Sequence, residues 1–390
     1  MIIFSIYSMS PILISLAVAG VVIILWSRQQ MKDLLYVIDK IYVERIVEKN
    51  RVVEGYETDV VIKIFNETDH RIPLVIVKDD VPRELVVSKG SDVARLSIPP
   101  RSYVENVYSV RGERVGRHDL RSIKLVFQDP LGIFSEEKIY EQYSYITVTP
   151  IYIKIDVYPK IRSVYPGIKI RGASLGGSYD LWGFRDYVSG DDVRRIYWKG
   201  FARTGRLMVR EDIGESRGRV LIMLGLTKYS WLIGSEGNTY AESLLRLFRS
   251  LLESFLDAYS IIDIMICTDA IVKIFREITS SNRERIYVIF DDISFGGGCG
   301  SIGILLLNLY RIDLSRYDIK ILAATPPDIF STDRSSISLY LKQNGFRGMI
   351  IMPNRDYDKD IGPMTRDIII KFFSKLGSDV LITEESFEKI

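Results

Sequence analysis

The chain has 390 residues, of which 47% are hydrophobic and 26% charged, with 52 Lys and Arg against 50 Asp and Glu. This length allows two or three folded domains, each with its own core, and it excludes a peptide hormone or a disordered chain. A formal net charge of +2 provides no overall field that would attract nucleic acid, so no nucleic-acid partner is expected.

Cysteine and histidine are scarce, with two residues of each type. Cys267 and Cys299 lie far apart in the sequence and have no C-x-x-C neighbour, and His70 and His118 are not near them. This pattern disfavours a disulfide framework, a zinc site and histidine-based catalysis, and it is compatible with a reducing compartment.

The N-terminal segment has the composition of a membrane span. No charged residue occurs between Met1 and Trp26, and about 20 apolar residues are enough to cross a bilayer. Residues 2–26 are therefore predicted to form a transmembrane helix, within an anchor that ends at residue 27. No basic n-region or small-residue cleavage site precedes Arg28, which argues against a cleaved signal peptide.

Basic residues near the span predict its orientation. Arg28 and Lys32 follow the span and nothing basic precedes it, so the rest of the chain is expected in the cytoplasm. The protein is thus predicted to be a single-pass protein of the cell membrane. A start that has lost an earlier helix would instead give two spans and leave the bulk of the chain on the same side.

Residues 28–150 carry short apolar runs, rich in Val and Ile, between turn-forming residues. The runs are Val60 to Phe65, Pro73 to Val77, Leu85 to Val87, Ala94 to Ile98, Tyr103 to Val110 and Ile123 to Phe127. Strands at this spacing predict a small antiparallel β-sandwich, for which an interaction module is the default role.

Residues 218–390 change to an alternation of strands and helices. Predicted strands are Arg219 to Leu224, Ile261 to Cys267, Ile286 to Phe290, Ile319 to Ala323 and Met349 to Met352. Apolar residues from Ala241 to Tyr259 recur at helical spacing, and further helices are predicted near 301–311, 335–343 and 365–376. This pattern predicts a Rossmann-like α/β domain, with ligands at the carboxyl ends of its strands.

The segment between these regions, residues 151–217, is rich in Arg, Asp and aromatic residues and is the signature segment. Asp191 or Asp192 can cap a helix that Gly205 would close, with Arg195, Lys199 and Arg203 along one face. Two roles remain open for these cations. They can pair with acidic residues of the same segment, or they can meet an anionic ligand or partner.

Motifs of the signature segment carry a family resemblance. They are residues 183–187 (GFRDY), 189–199 (SGDDVRRIYWK), 202–203 (AR) and 207–211 (LMVRE), together with the upstream stretches 111–116 and 129–134 (DPLGIF). They resemble the prokaryotic family called domain of unknown function fifty-eight, over nearly the whole chain. The resemblance implies a membrane anchor, a β-rich region and a C-terminal domain similar to the von Willebrand factor A fold.

Many members of that family are encoded beside AAA+ ATPases of the MoxR type. This implies a non-enzymatic scaffold or adaptor that binds protein partners, such an ATPase among them, during protein assembly or remodelling. Neither a catalytic residue nor a cofactor is expected. The residues assigned to partner binding, or to the structure of the signature, are Arg185, Asp186, Tyr187, Gly190, Asp191, Asp192, Arg194, Trp198, Arg203 and Glu211.

The resemblance also suggests a test for metal binding. Von Willebrand A domains bind Mg²⁺ through Asp-x-Ser-x-Ser after the first strand, helped by later Thr and Asp residues. Here the corresponding positions are Gly225, Thr227 and Tyr229, which form a degenerate site without the carboxylate, so no metal is expected. Thr239 and Asp291 are residual candidates for the later ligands.

Two alternative functions remain open. One is metal-dependent adhesion, in which the A-like domain would hold Mg²⁺ and a partner's carboxylate. The other is a nucleotide-binding protein or hydrolase that uses the glycine-rich stretch 296–300 (GGGCG) or the pair Asp291 and Asp292. The stretch lacks the Lys-Ser/Thr that completes a nucleoside-triphosphate loop, which favours a connector.

Overall fold

The computed structural model describes residues 11–153, 181–187, 196–212, 218–257, 260–331, 349–354 and 379–386. The chain forms two compact units. Unit 1 comprises Met1–Ile151 with the segments Ser235–Asn238 and Tyr287–Gly297. Unit 2 comprises Tyr152–Gly234, Thr239–Ile286 and Gly298–Ile390.

Unit 1 begins with helix α1 (Pro11–Ile38), which is long and apolar enough to cross a membrane. Its side chains from Val21 to Trp26 are exposed, as expected for a surface that faces lipid. After Trp26 the helix continues with a different pattern, because Ser27, Met31, Leu34 and Val37 recur on one buried face. The C-terminal part of α1 therefore belongs to the core of unit 1.

The rest of unit 1 is built from strands. They are β1 (Ile41–Val47), β2 (Arg51–Val53), β3 (Glu57–Asn66), β4 (Ile72–Asp79), β5 (Leu85–Lys89), β6 (Val93–Ile98), β7 (Ser102–Gly112), β8 (Gly116–Gln128) and β9 (Ser135–Thr149). They form two sheets, with strand orders β1-β3-β7-β5 and β2-β9-β8-β4-β6. All pairs are antiparallel except β2 with β9.

The two sheets bury their inner faces in one common core. Alternate residues of β3, such as Val60, Ile62 and Ile64, lie in the same cluster as Val77 of β4 and Leu125 of β8. Burial alternates along these strands because successive side chains of a strand point to opposite faces. The predicted strands of this region and its sheet-rich fold are confirmed.

The described part of the signature segment forms a small hairpin with a helix inside it. β10 (Leu181–Asp186) pairs with β11 (Met208–Asp212) in antiparallel fashion. Helix α2 (Trp198–Thr204) lies between them and ends at Gly205, whose φ is +69° and whose N–H donates to Phe201 O at 2.8 Å. The predicted closure by Gly205 is confirmed, since a left-handed residue after a helix favours glycine. The predicted start of this helix is wrong: Tyr197 is its N-cap residue and Ile196 pairs with Val209, so the helix does not reach back to Asp191 or Asp192, which lie outside the described residues.

The remainder of unit 2 is an α/β arrangement. In chain order the elements after the hairpin are β12 (Arg219–Leu224), β13 (Gly234–Ser235), β14 (Asn238–Thr239), α3 (Tyr240–Asp257), β15 (Ile261–Thr268), β16 (Ile271–Ile278), α4 (Arg285–Asp291), α5 (Ile302–Leu307), β17 (Ile319–Ala323), α6 (Pro326–Phe330), β18 (Met349–Asn354) and β19 (Asp379–Ser386). Of these, Ser235, Asn238 and most of α4, from Tyr287 onward, are grouped with unit 1. The main sheet has the order β16-β15-β12-β17-β18-β19, in which only the edge strand β16 is antiparallel.

One predicted strand is wrong. The apolar run Ile286 to Phe290 is not a strand of the sheet but most of helix α4. Periodicity does not separate a short buried strand from a buried helical turn when the run has only five apolar or aromatic residues. The predicted helices near 335–343 and 365–376 lie outside the described residues.

The expectation against a disulfide framework is also corrected by the structure. Cys267 of β15 and Cys299 form a disulfide, with 5.5 Å between their Cα atoms, a separation typical of such bonds. Their side chains are almost completely buried. The bond joins the end of a central strand to the glycine-rich stretch 296–300, and 32 residues of sequence separate its two ends.

Candidate functional site

The candidate site lies at the carboxyl ends of β12 and β17, the two central strands of the unit 2 sheet. From β12 the chain continues outward to β15 and β16 on one side, whereas β17, β18 and β19 extend the sheet on the other. Strand order therefore reverses between β12 and β17. In open α/β sheets this reversal leaves a crevice where ligands bind.

Asp328 is the centre of the site. This residue lies in α6, just after β17, and is 0% exposed. Its Oδ1 accepts hydrogen bonds from Thr227 N and Thr227 Oγ1, both at 2.8 Å, and from Ser230 Oγ. Its Oδ2 accepts from Thr325 N at 2.9 Å and from Thr325 Oγ1. The carboxylate thus ties the end of β12 to the end of β17.

Local sequence explains how these groups converge. Thr325 and Asp328 form a capping box around the first turn of α6, and Pro326 occupies the first helical position. Thr227 precedes a short 3-10 turn, Lys228–Trp231, which directs Ser230 inward. Burial raises the pKa of the Asp328 carboxyl, and the donors from Ser230, Thr325 and Thr227 oppose that shift.

The geometry does not fit a divalent cation at the degenerate motif. A Cβ at Gly225, where the motif would need its first carboxylate, would lie 2.7 Å from Ile302 Cδ1, and Ile302 is itself buried. The Tyr229 side chain is 52% exposed, whereas the neighbouring Ser230 side chain is buried, so the two side chains point in different directions. Five donors already occupy the oxygens of Asp328, which offer about four lone-pair positions.

The two residual metal candidates have other roles. Thr239 forms a capping box with Glu242 at the start of α3, in which Thr239 N donates to Glu242 Oε2 at 2.8 Å and Glu242 N donates to Thr239 Oγ1 at 3.3 Å. Asp291 belongs to unit 1 and forms a bidentate ion pair with Arg51. Neither residue joins the Asp328 cluster.

The surface beside these strand ends carries exposed side chains of mixed character. Lys228, Tyr229 and Leu232 are exposed, and Leu232 is 80% exposed. They are named the rim. Ser230 and Trp231, between them, are buried, so the rim is held on a fixed turn.

The glycine-rich stretch is fastened to the same place. Cys299 N donates to Leu226 O at 3.0 Å, and Lys228 N donates to Cys299 O at 3.2 Å. At Gly298, where φ is +142°, a Cβ would lie 3.0 Å from Leu226 O, so only glycine allows this approach. The disulfide of Cys299 adds a covalent attachment to β15. The stretch predicted as a connector is therefore held in place by backbone hydrogen bonds and a disulfide.

The signature residues are distributed over the small hairpin. Trp198 is 56% exposed, with its ring edge-on to Phe201 at 6.3 Å, and Arg203 is exposed on the same helix. Asp186 is exposed and Tyr187 N donates to Leu207 O at 2.9 Å. For Arg185 and Glu211 the structure gives the backbone position, in β10 and β11. The remaining predicted residues, Gly190, Asp191, Asp192 and Arg194, lie outside the described residues.

Sequence reasoning missed Ser230, Thr325 and Asp328. A signal was present, because Thr-Pro-Pro-Asp follows the strand Ile319–Ala323 after one further residue, Ala324, and has capping-box spacing. Nothing in that signal indicates Thr227 as the partner, however, since 101 residues separate it from Asp328.

Comparison with known proteins gives one family match. Residues 183–280 match the family described as "Protein of unknown function DUF58", which covers part of the signature segment, the rim and β12 to β16. No curated protein matches the chain.

Two solved structures resemble parts of the chain weakly. One is the "ASH / PapD-like domain of human CEP192 (PapD-like domain 7)", with 8% identity and a TM-score of 0.20 over 28% of this chain and 87% of that one. The other is a "protein of unknown function from Porphyromonas gingivalis W83", with 12% identity and a TM-score of 0.22 over 34% of this chain and 52% of that one. Similarities of this size carry no argument about function.

Proposed function

We propose that this protein is a membrane-anchored, non-enzymatic scaffold whose unit 2 docks protein partners, one of them an AAA+ ATPase of the MoxR type. In this proposal α1 spans the membrane, unit 2 has a von Willebrand factor A-like fold, and both units lie in the cytoplasm. The partner's contact face combines apolar groups with carboxylates, because the exposed side chains available to meet it combine aromatic rings with Lys and Arg.

The rim is the observation that carries this proposal. It lies where doubly wound sheets receive their ligands, yet the interior there is filled by Asp328 and its donors. What the site offers to solvent is Lys228, Tyr229 and Leu232. Aromatic and apolar side chains on a rigid turn are typical anchors of a protein interface, since little entropy is lost when they are buried.

The signature helix α2 supplies a second docking surface. Trp198 is 56% exposed, and Phe201 and Leu207 are each 39% exposed. Lys199 and Arg203 are exposed on the same short helix. Tryptophan and arginine are enriched among the residues that dominate protein interfaces, which favours partner binding over a purely internal role for this helix.

The expected orientation must be reconciled with the disulfide, because cytoplasmic reductants break accessible disulfides. Cys267 is 3% exposed and Cys299 is 1% exposed, so a reducing thiolate reaches neither sulfur in the closed protein. A single exposed cysteine, introduced by Tyr56→Cys, tests the orientation. A cytoplasmic unit 1 makes it reactive toward a membrane-impermeant maleimide in inverted vesicles but not in intact cells, and the reverse labelling would refute the orientation.

The docking proposal is tested with the detergent-solubilised full chain and a purified MoxR-type ATPase encoded next to its gene. Binding is measured for the unaltered chain, for Trp198→Ala with Phe201→Ala, and for Tyr229→Ala with Leu232→Ala. At least one pair is expected to weaken binding by about tenfold or more, since truncating interface anchors typically costs over 1 kcal/mol.

Tyr310→Ala is the matched control, because Tyr310 is 77% exposed in unit 2 but belongs neither to the rim nor to α2. It is expected to bind like the unaltered chain. Undiminished binding by both test pairs would refute the two docking surfaces, and failure of the unaltered chain to bind would refute the ATPase as partner.

A further inference from the structure

The turn that joins β8 to β9, residues 129–134, is rigid and has an apolar tip. Gly132 N donates to Asp129 O at 2.9 Å, which closes a β-turn with proline at its second position. The Asp129 carboxylate accepts from Leu131 N at 3.0 Å and from Phe134 N at 2.7 Å. Leu131 and Ile133 are thereby held outward, 50% and 47% exposed.

The same carboxylate joins this turn to the helix. Ser27 Oγ donates to Asp129 Oδ2 at 2.5 Å, and both residues are 0% exposed. Ser27 directly follows Trp26, the last apolar residue before the first charged residue, Arg28. The tip of the β8-β9 hairpin therefore lies beside the point where the apolar part of α1 ends.

The hairpin and the helix also run side by side. At the end of α1, Ile38 O accepts hydrogen bonds from Lys138 Nζ at 3.3 Å and from Tyr140 Oη at 3.4 Å. From Ser27 to Ile38 the helix rises about 16 Å, and a similar length of β9 separates the turn from Tyr140. The hairpin thus runs alongside α1, and the turn at its end lies next to the apolar part of the helix.

We propose that the tip of this turn inserts into the membrane interface, so that Leu131 and Ile133 contact lipid beside the transmembrane helix. This rests on the proposed membrane anchor. Turn tips of water-facing hairpins usually carry polar residues, whereas residues 130–133 here are Pro, Leu, Gly and Ile. Trp26 is 48% exposed at the same level and is the residue type that favours the membrane interface.

Charged residues next to the turn limit how deep it enters. Glu136 and Glu137 of β9 are exposed, and Glu137 pairs with Lys124 Nζ at 2.5 Å. A carboxylate is costly in hydrocarbon, so these side chains remain at the aqueous side. The inserted part is confined to residues 130–133, and the turn acts as a second, shallow contact that fixes the angle of unit 1 on the membrane.

Depth measurements on spin-labelled full chain in phospholipid nanodiscs test this inference. Single cysteines at Leu131→Cys and Ile133→Cys are labelled and compared with Leu16→Cys in the helix and with Tyr56→Cys. Tyr56 N donates to Val53 O, and Val53 pairs with Thr149 at the end of β9 opposite the turn. The native cysteines do not interfere, because they are paired and buried. The ratio of oxygen to water-soluble nickel collisions should be several-fold higher at 131 and 133 than at 56, and highest at 16.

The outcomes separate the turn from the anchor. Labels at 131 and 133 that are as accessible to nickel as the label at 56, with lipid contact at 16, would refute the insertion and leave the anchor intact. An aqueous label at 16 would refute the anchor and the insertion together. Photoactivatable lipid in nanodiscs checks the unaltered chain, in which the peptide containing residues 130–133 should be crosslinked, and its absence from the crosslinked products counts against insertion.

Discussion

Arg45 and Asp79 form a bidentate ion pair inside unit 1, with their side chains 1% and 0% exposed. The guanidinium also donates to Leu120 O at 3.0 Å, to Gln142 O at 2.5 Å and to Ser122 O at 2.9 Å. Tyr108 Oη donates to Asp79 Oδ2 at 2.5 Å, and burial beside that carboxylate raises the pKa of Tyr108. The pair therefore joins β1 to β4, and through Tyr108 to β7, by contacts with no solvent access.

Removing the acid should destabilise unit 1 strongly. Asp79→Ala leaves a buried, unpaired guanidinium, for which a loss of about 3–5 kcal/mol in the free energy of unfolding is expected. Urea unfolding in detergent, followed by circular dichroism, measures it. Asp69→Ala is the control, since the Asp69–Arg101 pair is exposed on both sides and its loss should leave the midpoint nearly unchanged. Equal effects of the two variants would contradict this assignment.

The buried His118 should make stability depend on pH. Burial lowers the pKa of His118, although the contact of its Nε2 with Arg114 O, at 2.7 Å, opposes the shift. Below the unfolded value of about 6.5 the unfolded chain gains a proton that the folded chain resists. The free energy of unfolding therefore decreases as the pH falls from about 6.5 toward the pKa of His118 in the folded protein. The decrease is at most about 1.4 kcal/mol per pH unit.

Urea midpoints measured from about pH 7.5 down to about pH 5 test this. His118→Gln should flatten the profile relative to the unaltered chain. The exposed His70 is the other histidine of the chain, and His70→Gln should retain the slope. A slope that survives in His118→Gln would assign the pH dependence to other groups.

The Asp328 cluster should be intolerant of an amide. Asp328→Asn keeps one acceptor oxygen, but the amide directs its two N–H groups toward groups that are themselves donors. The free energy of unfolding is therefore expected to fall by about 2–3 kcal/mol. The melting temperature in detergent reports it. Asp313→Asn is matched in chemistry, because Asp313 also accepts from nearby N–H and O–H groups but is exposed. If the Asp328 hydrogen bonds did not stabilise the fold, the two variants would have the same melting temperature.

Magnesium should not stabilise the protein. A ligand held at 100 times its Kd would add about 2.7 kcal/mol of stability, yet the oxygens of Asp328 already accept from Thr227, Ser230 and Thr325. Calorimetric titration with Mg²⁺ and Mn²⁺ is expected to give no binding heat and no shift in melting temperature. Heat that disappears in Asp328→Asn would restore the metal-dependent adhesion hypothesis.

The disulfide should be present in the purified chain and should stabilise it. Without reductant, the denatured protein is expected to take up no iodoacetamide, and after reduction it should take up two equivalents, one for each cysteine. A crosslink that closes a loop of 32 residues reduces the entropy of the unfolded chain, which stabilises the folded protein by about 4 kcal/mol. Cys267→Ala with Cys299→Ala should therefore melt markedly lower. Free thiols in the unreduced protein would refute the pairing.

Local patterns predicted most of the elements correctly. The apolar run from Val60 to Phe65, between turn-forming residues, identifies a strand, and the uncharged stretch up to Trp26 identifies a possible membrane span. Both predictions rest on residues close together in sequence, whose arrangement follows from helix or strand geometry alone. The run Ile286 to Phe290 was assigned wrongly because its pattern suits a buried strand and a buried helix equally.

The sequence by itself determined the apolar span, the sheet-rich region after it and the change to alternating strands and helices. Only the tertiary structure decided that Cys267 meets Cys299, that Asp328 meets Thr227, and that Asp129 meets Ser27. The physical reason is the range of the interactions. Backbone geometry repeats every two or 3.6 residues, whereas contacts between residues 32 to 102 positions apart depend on the order in which strands and helices pack.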